Sequence, residues 1–358
     1  MQARAGLVDD ARAVGRIVTP HLPVGARGFL AHQRLAVASS LDPTGRVWAS
    51  LLTGPEGFAK ALGEREISLA GLPIPGDPLG PNLIARPELG LLVLDPATRR
   101  RMRFNGTGRL ESDGIALLVR QAYGNCPKYI QRRRLLGEDR TTPPQPPIVS
   151  SRLSPIHQAA IASADTLFLA TFHPEGGADA SHRGGFPGFL RALGEDRLAF
   201  DDYPGNGMFN SLGNLLQYPS VGLLLVDFEQ GHLLQLTGRA TIRRDFSLVV
   251  DLEEVRETLS GSPLRFEFVD YSPANPRVSR ESSLSIPRSA NGIGGQEENG
   301  VAKEIACNDV VGGCALKATA ETEKELLEKV EAHASHAHGV TEVTPELAKK
   351  VKAAIRSR

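Results

Sequence analysis

The chain has 358 residues, 41% of them hydrophobic, and its 41 Lys+Arg balance 41 Asp+Glu. That length suffices for two or three domains at roughly 100 to 200 residues each. The even charge removes any whole-chain field that would draw the protein to nucleic acid or to an anionic membrane.

Local patterns narrow the class further. Apolar runs such as Val221–Val226 fall far short of the roughly 18 residues of a spanning helix. The Arg- and Asp-dotted N-terminus lacks an apolar signal core. Three cysteines, with Cys126 distant from Cys307 and Cys314, do not make a disulfide framework and read as free thiols or metal ligands. Aromatics at 5% argue against a base-stacking surface. The expectation is a soluble cytoplasmic protein with no nucleic-acid or membrane partner.

In chain order, each half opens with a short helix and continues in short apolar runs cut by Gly/Pro turns. In the first half, Thr98 to Arg103 (TRRRMR) and Gln131 to Leu136 (QRRRLL) are locally basic. They read mainly as solvated faces, although strand alternation can turn some of these side chains toward a phosphate. Residues 141–150, with TTPPQPP at Thr141 to Pro147, form a semi-rigid linker.

Ser154 then caps a helix begun by Pro155. Runs follow at TLFLATFH, RLAFDD, VGLLLVDF and HLLQLTGRATI, with turns PEGG, YPGNG and EQG between them. This spacing predicts antiparallel strands that close into a barrel. Polar, Gly-rich residues 286–300 read as a tether. The tail from Val301 shows two short strands around a loop. A capping box at Thr322 and Glu325 follows, and a further helix starts at Thr344-Pro345.

The strongest signal is internal. Shifting the sequence by 131 residues pairs Ala49-Ser50 with Ala180-Ser181, Gly57-Phe58 with Gly188-Phe189, and Ala61 to Glu64 with Ala192 to Glu195. With small gaps, LGPNLIARPELGLLVLD from Leu79 meets LGNLLQYPSVGLLLVD from Leu212, and Thr107-Gly108-Arg109 meets Thr237-Gly238-Arg239. A repeat at a fixed offset means a repeated fold unit. The domain plan is therefore a first unit at 1–140, a second at 151–285, and a small αβ unit at 301–358.

From DTLFLATFHPEGGADASHRGGFPGF through DDYPGNGMFNSLGNLLQYPSVGLLLVDF to LTGRATI, the second copy resembles the FMN-binding split barrel of the pyridoxamine 5'-phosphate oxidase-like superfamily. The first copy, ending in QAYGNCPKYIQRR, resembles a degenerate version, as in tandem members of that superfamily. Together they cover about Gly25 to Arg280. Residues Lys303 to Arg356 resemble a family of unknown function described as small metal-binding proteins. The resemblance implies an α+β, mainly antiparallel β fold: two tandem split barrels forming a pseudo-dimer, plus the C-terminal αβ domain. It also implies FMN in the groove between the barrels, and hence a flavin oxidoreductase acting on a small-molecule substrate or an electron donor such as NAD(P)H.

FMN needs cations and hydrogen-bond donors for its phosphate and a polar wall for its ring edge. The second copy keeps SHRGG and GNGMFNSLGN, and these nominate Ser181, His182, Arg183, Asn206, Asn210, Ser211 and Asn214. The first copy has SLLTG and GDPLGPN instead, and its GNCPKYIQRR nominates Asn125, Lys128 and Arg132. Cys126 reads as a structural thiol. In the tail, Cys307, Cys314, His333 and His338 are candidate ligands for zinc or another divalent metal. Their spacing is not a Cys-x-x-Cys knuckle, and His333 also fits a helical core stripe. No Ser-His-Asp set, paired-acid motif or P-loop competes. Two alternatives stay open: a carrier for flavin, heme or deazaflavin, and a metal-responsive module with the barrels as scaffold. The assembly is a monomer with an internal pseudo-dimer, or a homodimer.

Overall fold

The computed structural model describes residues 1–6, 15–205, 207–276, 303–306, 317–320, 351 and 356–357. The chain divides into two compact units, Met1–Glu281 and Ser282–Arg358.

The larger unit is mainly antiparallel β and is built twice. In the first half the strands are β1 (Leu35–Leu41), β2 (Val47–Thr53), β3 (Ala59–Ala61), β4 (Glu66–Ala70), β5 (Glu88–Asp95), β6 (Arg100–Leu110), β7 (Gly114–Asn125) and β8 (Arg132–Glu138). After the short strand β9 (Ile148–Ser150), the second half repeats them as β10 (Thr166–His173), β11 (Gly177–Gly184), β12 (Leu190–Ala192), β13 (Arg197–Phe200), β14 (Ser220–Val226), β15 (Leu233–Ile242), β16 (Leu248–Thr258) and β17 (Leu264–Asp270). The first sheet runs β2-β1-β5-β6-β7-β4-β3 and the second β11-β10-β14-β15-β16-β13-β12, which is the same order strand for strand. The matching helices are Leu79–Ala85 and Asn210–Gln217.

Register also relocates one match made from sequence. Gly106 faces Leu89, and Gly238 faces Val221, at equivalent places beside the same bulge. In both, an added Cβ would meet a neighbouring carbonyl oxygen, Leu118 O at 2.0 Å and Asp251 O at 2.2 Å. Gly106, rather than Gly108, is therefore the counterpart of Gly238.

Three apolar cores follow from strand alternation. Ala36 and Ala38 of β1 face the interior of the first barrel, as Leu167 and Leu169 of β10 face that of the second. The opposite faces, Leu35 and Val37 with Phe168, Ala170 and Phe172, meet in a third core that joins the halves. Being buried on both faces, β1 and β10 read as continuous apolar runs. The halves also exchange their last strands, since β8 pairs with β17 in a separate two-stranded ribbon.

Across this interface the backbones touch around a pseudo-two-fold axis. A Cβ on Gly90 would lie 2.6 Å from Ala178 O and Asp179 Cα, and one on Gly222 would lie 2.8 Å from Ala49 N and Trp48 Cα. Gly90→Ala and Gly222→Ala are each expected to lower unfolding stability by about 1 to 3 kcal/mol through overpacking. Urea denaturation of the two single variants checks this, and a loss confined to one of them would break the symmetry.

Local elements agree closely with the chemistry of their ends. Ser154 Oγ accepts from His157 N at 3.3 Å while His157 Nδ1 accepts from Ser154 N at 3.2 Å, a reciprocal cap on the helix Pro155–Ser163. Of the linker expected at 141–150, the last three residues are instead strand β9 on the edge of β16, and Gln145 N donates to Leu259 O at 3.0 Å.

In the smaller unit, β18 (Lys303–Ala306) pairs antiparallel with β19 (Lys317–Ala320) and with β20 (Arg356–Ser357). The segments expected to form helices after Thr322 and Thr344 lie outside the described residues, apart from Val351. Among the described residues no helix is long and apolar enough to cross a membrane.

Candidate functional site

Strand β6 brings an unusual load to the seam between the halves. Met102 and Phe104 face the first barrel's interior, so alternation turns Arg101, Arg103 and Asn105 toward the second half, where all three are buried. From the second half β11 presents Asp179, Ser181, His182 and Arg183, and the helix Asn210–Gln217 presents its first turn. Between them opens a cavity of about 460 Å³. First-half residues Arg101, Arg103, Asn125, Cys126 and Tyr129 line it together with second-half residues that include His182, Arg183, Tyr203 and Phe209.

The charges at its base are paired unequally. Arg103 Nη1 donates to Asp179 Oδ2 at 2.8 Å, and Asp179 Oδ1 also accepts from Asn105 Nδ2 at 3.0 Å and the Tyr123 hydroxyl at 3.2 Å. Burial raises the Tyr123 phenol to about 12. Arg183 pairs with Asp202 and also donates to Ser181 Oγ at 3.2 Å.

Arg101, only 8% exposed, has no carboxylate partner among the described residues. Its Nη1 donates to His182 Nδ1 at 3.1 Å and to His182 O at 3.4 Å, its Nη2 lies 3.9 Å from Cys126 Sγ, and its Nε has no partner. Burial, followed by the neighbouring Arg103, lowers Arg101 to about 10, and it remains a cation at neutral pH. Burial likewise holds His182 well below its ordinary range, with Arg101 adding to the effect, so the imidazole is neutral.

The walls are aromatic and held in costly backbone. Tyr129 packs on Tyr203 with ring centroids 5.4 Å apart, and Phe209 on Phe246 at 5.6 Å. Tyr129, Phe209 and Phe246 have φ of 67°, 56° and 68°, left-handed conformations that cost a non-glycine residue about 1 to 2 kcal/mol each. Strain of this kind persists where the surroundings over-determine it, and it clusters at sites of function.

The residues nominated from sequence divide into four groups. His182, Arg183, Asn125, Asn210 and Ser211 line the cavity, and Ser181 lies fully buried beneath Arg183 and Ser211, accepting from Ser211 Oγ at 3.0 Å. Asn214 instead lines an adjoining cavity of about 290 Å³ and donates to Thr171 Oγ1 at 3.0 Å.

Lys128 and Arg132 are corrections, because neither lines the cavity. The left-handed turn at Tyr129 sends that ring inward and leaves Lys128 exposed. Alternation along the β8–β17 ribbon leaves Arg132 paired with Asp270 at the surface and turns Arg133 in toward Asp165. Asn206, Cys307, Cys314, His333 and His338 lie outside the described residues. Among the described residues, no cluster of three or more His, Cys, Asp or Glu is arranged to hold a metal ion.

The first half does reach the cavity, but through Arg101, Arg103 and Tyr129. The spacing of Arg101 and Arg103 two apart in a strand was the available signal. Asp179 and Asp202 carried none.

At the pseudo-equivalent place, a cavity of about 440 Å³, the polar set is different. Leu233 stands for Arg101, Gln235 for Arg103, and Leu51 and Leu52 for His182 and Arg183, while Ile74 packs into the space. One hydrogen bond survives on both sides: Asn82 Nδ2 to Ser40 Oγ at 2.9 Å matches Asn214 to Thr171. Trp48 sits where Asp179 would, flanked by the guanidinium groups of Arg256 at 4.9 Å and Arg46 at 5.7 Å from its ring centre. Gln235 and Ser50 both donate to Asp77, which burial raises to about 6.

A carboxyl whose folded value exceeds its unfolded 3.8 stabilises the fold most below that unfolded value, and the contribution disappears as pH rises through about 6. The stability advantage of wild type over Asp77→Ala should therefore shrink by roughly 2 kcal/mol between pH 4 and pH 7. Denaturation at the two pH values measures it, and a constant difference would contradict it.

Residues 153–277 match the family model for pyridoxamine 5'-phosphate oxidase, and residues 302–357 match that for a protein of unknown function (DUF1059). The curated proteins contain no match. Among solved structures, HupZ of Group A Streptococcus is similar at 12% identity and a TM-score of 0.23, over 29% of this chain and 94% of its own. An F420 reductase is similar at 14% and 0.22, over 28% and 95%. A Lactobacillus delbrueckii protein, described as a candidate pyridoxamine 5'-phosphate oxidase, is similar at 14% and 0.22, over 34% and 99%.

Proposed function

We propose, because residues 153–277 match the family model for pyridoxamine 5'-phosphate oxidase, that this chain is a member of that split-barrel superfamily and that the cavity between its halves binds FMN and serves a flavin-dependent oxidoreductase. The observation that carries this reading is Arg101, a buried guanidinium at the cavity with no carboxylate among the described residues to balance it. A buried charge of that kind calls for a partner of opposite sign, and a phosphate monoester supplies one through charge-assisted hydrogen bonds.

Arg101 and Arg183, with the Ser211 hydroxyl and the Asn210 amide, are the groups for the phosphate. Tyr129, Tyr203 and Phe209 supply apolar walls for a planar ring and keep water from it. FMN when bound supplies hydride or electron transfer, and the protein's part is to orient and tune it.

Geometry favours flavin over heme. His182 is the one histidine among the described residues lining the cavity, and its Nδ1 accepts from Arg101 while its Nε2 is buried away from solvent. The site therefore offers no imidazole lone pair to an iron.

The test is an equilibrium titration of the full chain with FMN and with riboflavin, which lacks the phosphate. FMN should bind at least about tenfold more tightly, the worth of one charge-assisted contact. Equal affinities would remove the phosphate assignment. Anaerobic addition of NADH or NADPH to the FMN-loaded protein then tests the electron donor by bleaching of the flavin band.

A further inference from the structure

Cys126 is the one thiol among the described residues, and it is half-buried at the wall of the cavity. The sequence alone suggests a structural thiol, but its surroundings differ from those of a packed core cysteine. The donor facing Sγ is Arg101 Nη2 at 3.9 Å, and Arg101 is the cation with no carboxylate and an unpartnered Nε. Arg103 and Arg183 line the same wall. Two independent features thus converge: a solvent-reachable sulfur, and a buried positive charge with room for an anion beside it.

We propose that Cys126 is an oxidation site for hydroperoxides, whose sulfinate product pairs with Arg101 and closes the anion position of the cavity. The sulfur reacts as thiolate. It attacks one peroxide oxygen, the O–O bond breaks, and a sulfenate results together with water from hydrogen peroxide or an alcohol from an organic hydroperoxide. A second equivalent of hydroperoxide, by the same displacement, gives the sulfinate and a second water or alcohol. Sulfur is oxidised by four electrons in total, and each peroxide is reduced by two. The sulfinate keeps one negative charge, now spread over two oxygens at the end of a side chain that already faces the guanidinium. An anion supplied by the chain itself would then occupy the charge that a phosphate needs. The second half of this proposal rests on the FMN reading above, whereas the first half does not.

The experiment treats ligand-free wild type, Arg101→Met and Cys126→Ser with hydrogen peroxide, and follows the Cys126 peptide by mass spectrometry for the gain of two oxygens, about 32 Da. Wild-type Cys126 should oxidise at least about tenfold faster than Cys126 in Arg101→Met, because loss of the guanidinium removes the charge beside the reacting sulfur. Circular dichroism of Arg101→Met confirms that it is folded. Equal oxidation rates in the two folded proteins overturn the proposal.

FMN titration before and after treatment reads the consequence. Wild type should lose at least about tenfold in affinity, and Cys126→Ser should keep whatever affinity it starts with. Equal losses in both proteins would show that oxidation elsewhere is responsible and would overturn the closing role. If untreated wild type takes no FMN, that result counts against the proposed function, and the oxidation rates alone decide on Cys126.

Discussion

Arg101→Met should weaken FMN binding by about 1.5 to 3 kcal/mol while raising the stability of the ligand-free protein. Methionine fills much of the same volume without a charge. The guanidinium it replaces is 8% exposed and has no carboxylate partner, so the fold carries its desolvation cost with only the imidazole, one carbonyl and a distant sulfur in return. Removing an uncompensated buried ion relieves a penalty of several kcal/mol, partly offset by the lost hydrogen bonds to His182. A net gain of about 1 kcal/mol in guanidinium unfolding is expected alongside the loss in fluorescence titration. A residue kept for structure would show the reverse pair of results, with stability lost and affinity unmoved.

Asp179→Asn should be among the most damaging single changes in the larger unit. Asp179 is 3% exposed and holds Arg103, which is 7% exposed, as well as the Asn105 amide and the Tyr123 hydroxyl. Asparagine keeps the shape and can still accept from Tyr123, but it leaves Arg103 as a second unbalanced cation beside Arg101. Breaking a buried pair from one side costs about 3 to 5 kcal/mol. Adding Arg103→Met to the same background removes the stranded charge and should recover a large part of the loss, as coupled neighbours do in a double-mutant cycle. Urea midpoints of the two single variants and the double variant measure this. Strict additivity would mean that the charges do not interact.

Much of the architecture was legible from residue order. The doubled sheet follows from phrases repeated at one offset, and Thr166–His173 was bounded to the residue by its own apolar run and the PEGG turn after it. Ser154 and Pro155 fixed a helix start by local chemistry alone. The hybrid nature of the cavity was also readable, since polar residues survive in different places in the two copies.

Which first-half side chains enter was not legible. Lys128 and Arg132 were nominated because they lie in a segment that the second copy lacks, yet a left-handed Tyr129 and the pairing of β8 with β17 turn both outward. Arg101 and Arg103 lie in a basic run that reads mainly as solvated, with strand alternation able to turn some of its side chains toward a phosphate but nothing in the sequence to say which. Only the second half packing against that face of β6 reverses the expectation. Asp179 is fixed by the same long-range docking, and nothing near it in sequence announces a partner 76 residues away.

The counterpart place keeps a cavity of about 440 Å³ lined by Trp48, Ile74, Asp77 and Arg256, but with leucines where Arg101, His182 and Arg183 stand it lacks their arrangement of polar groups, which limits how many guests one molecule can accommodate. Two identical barrels meeting about a true axis would hold a pair of equal occupants and could communicate between them. Here the titration of a single polypeptide should saturate at one equivalent along a simple hyperbola. On that side Trp48 packs against Arg256 of the second half, and Leu51, Ile74 and Leu233 join the core shared by both halves, so these groups serve to fasten the halves together.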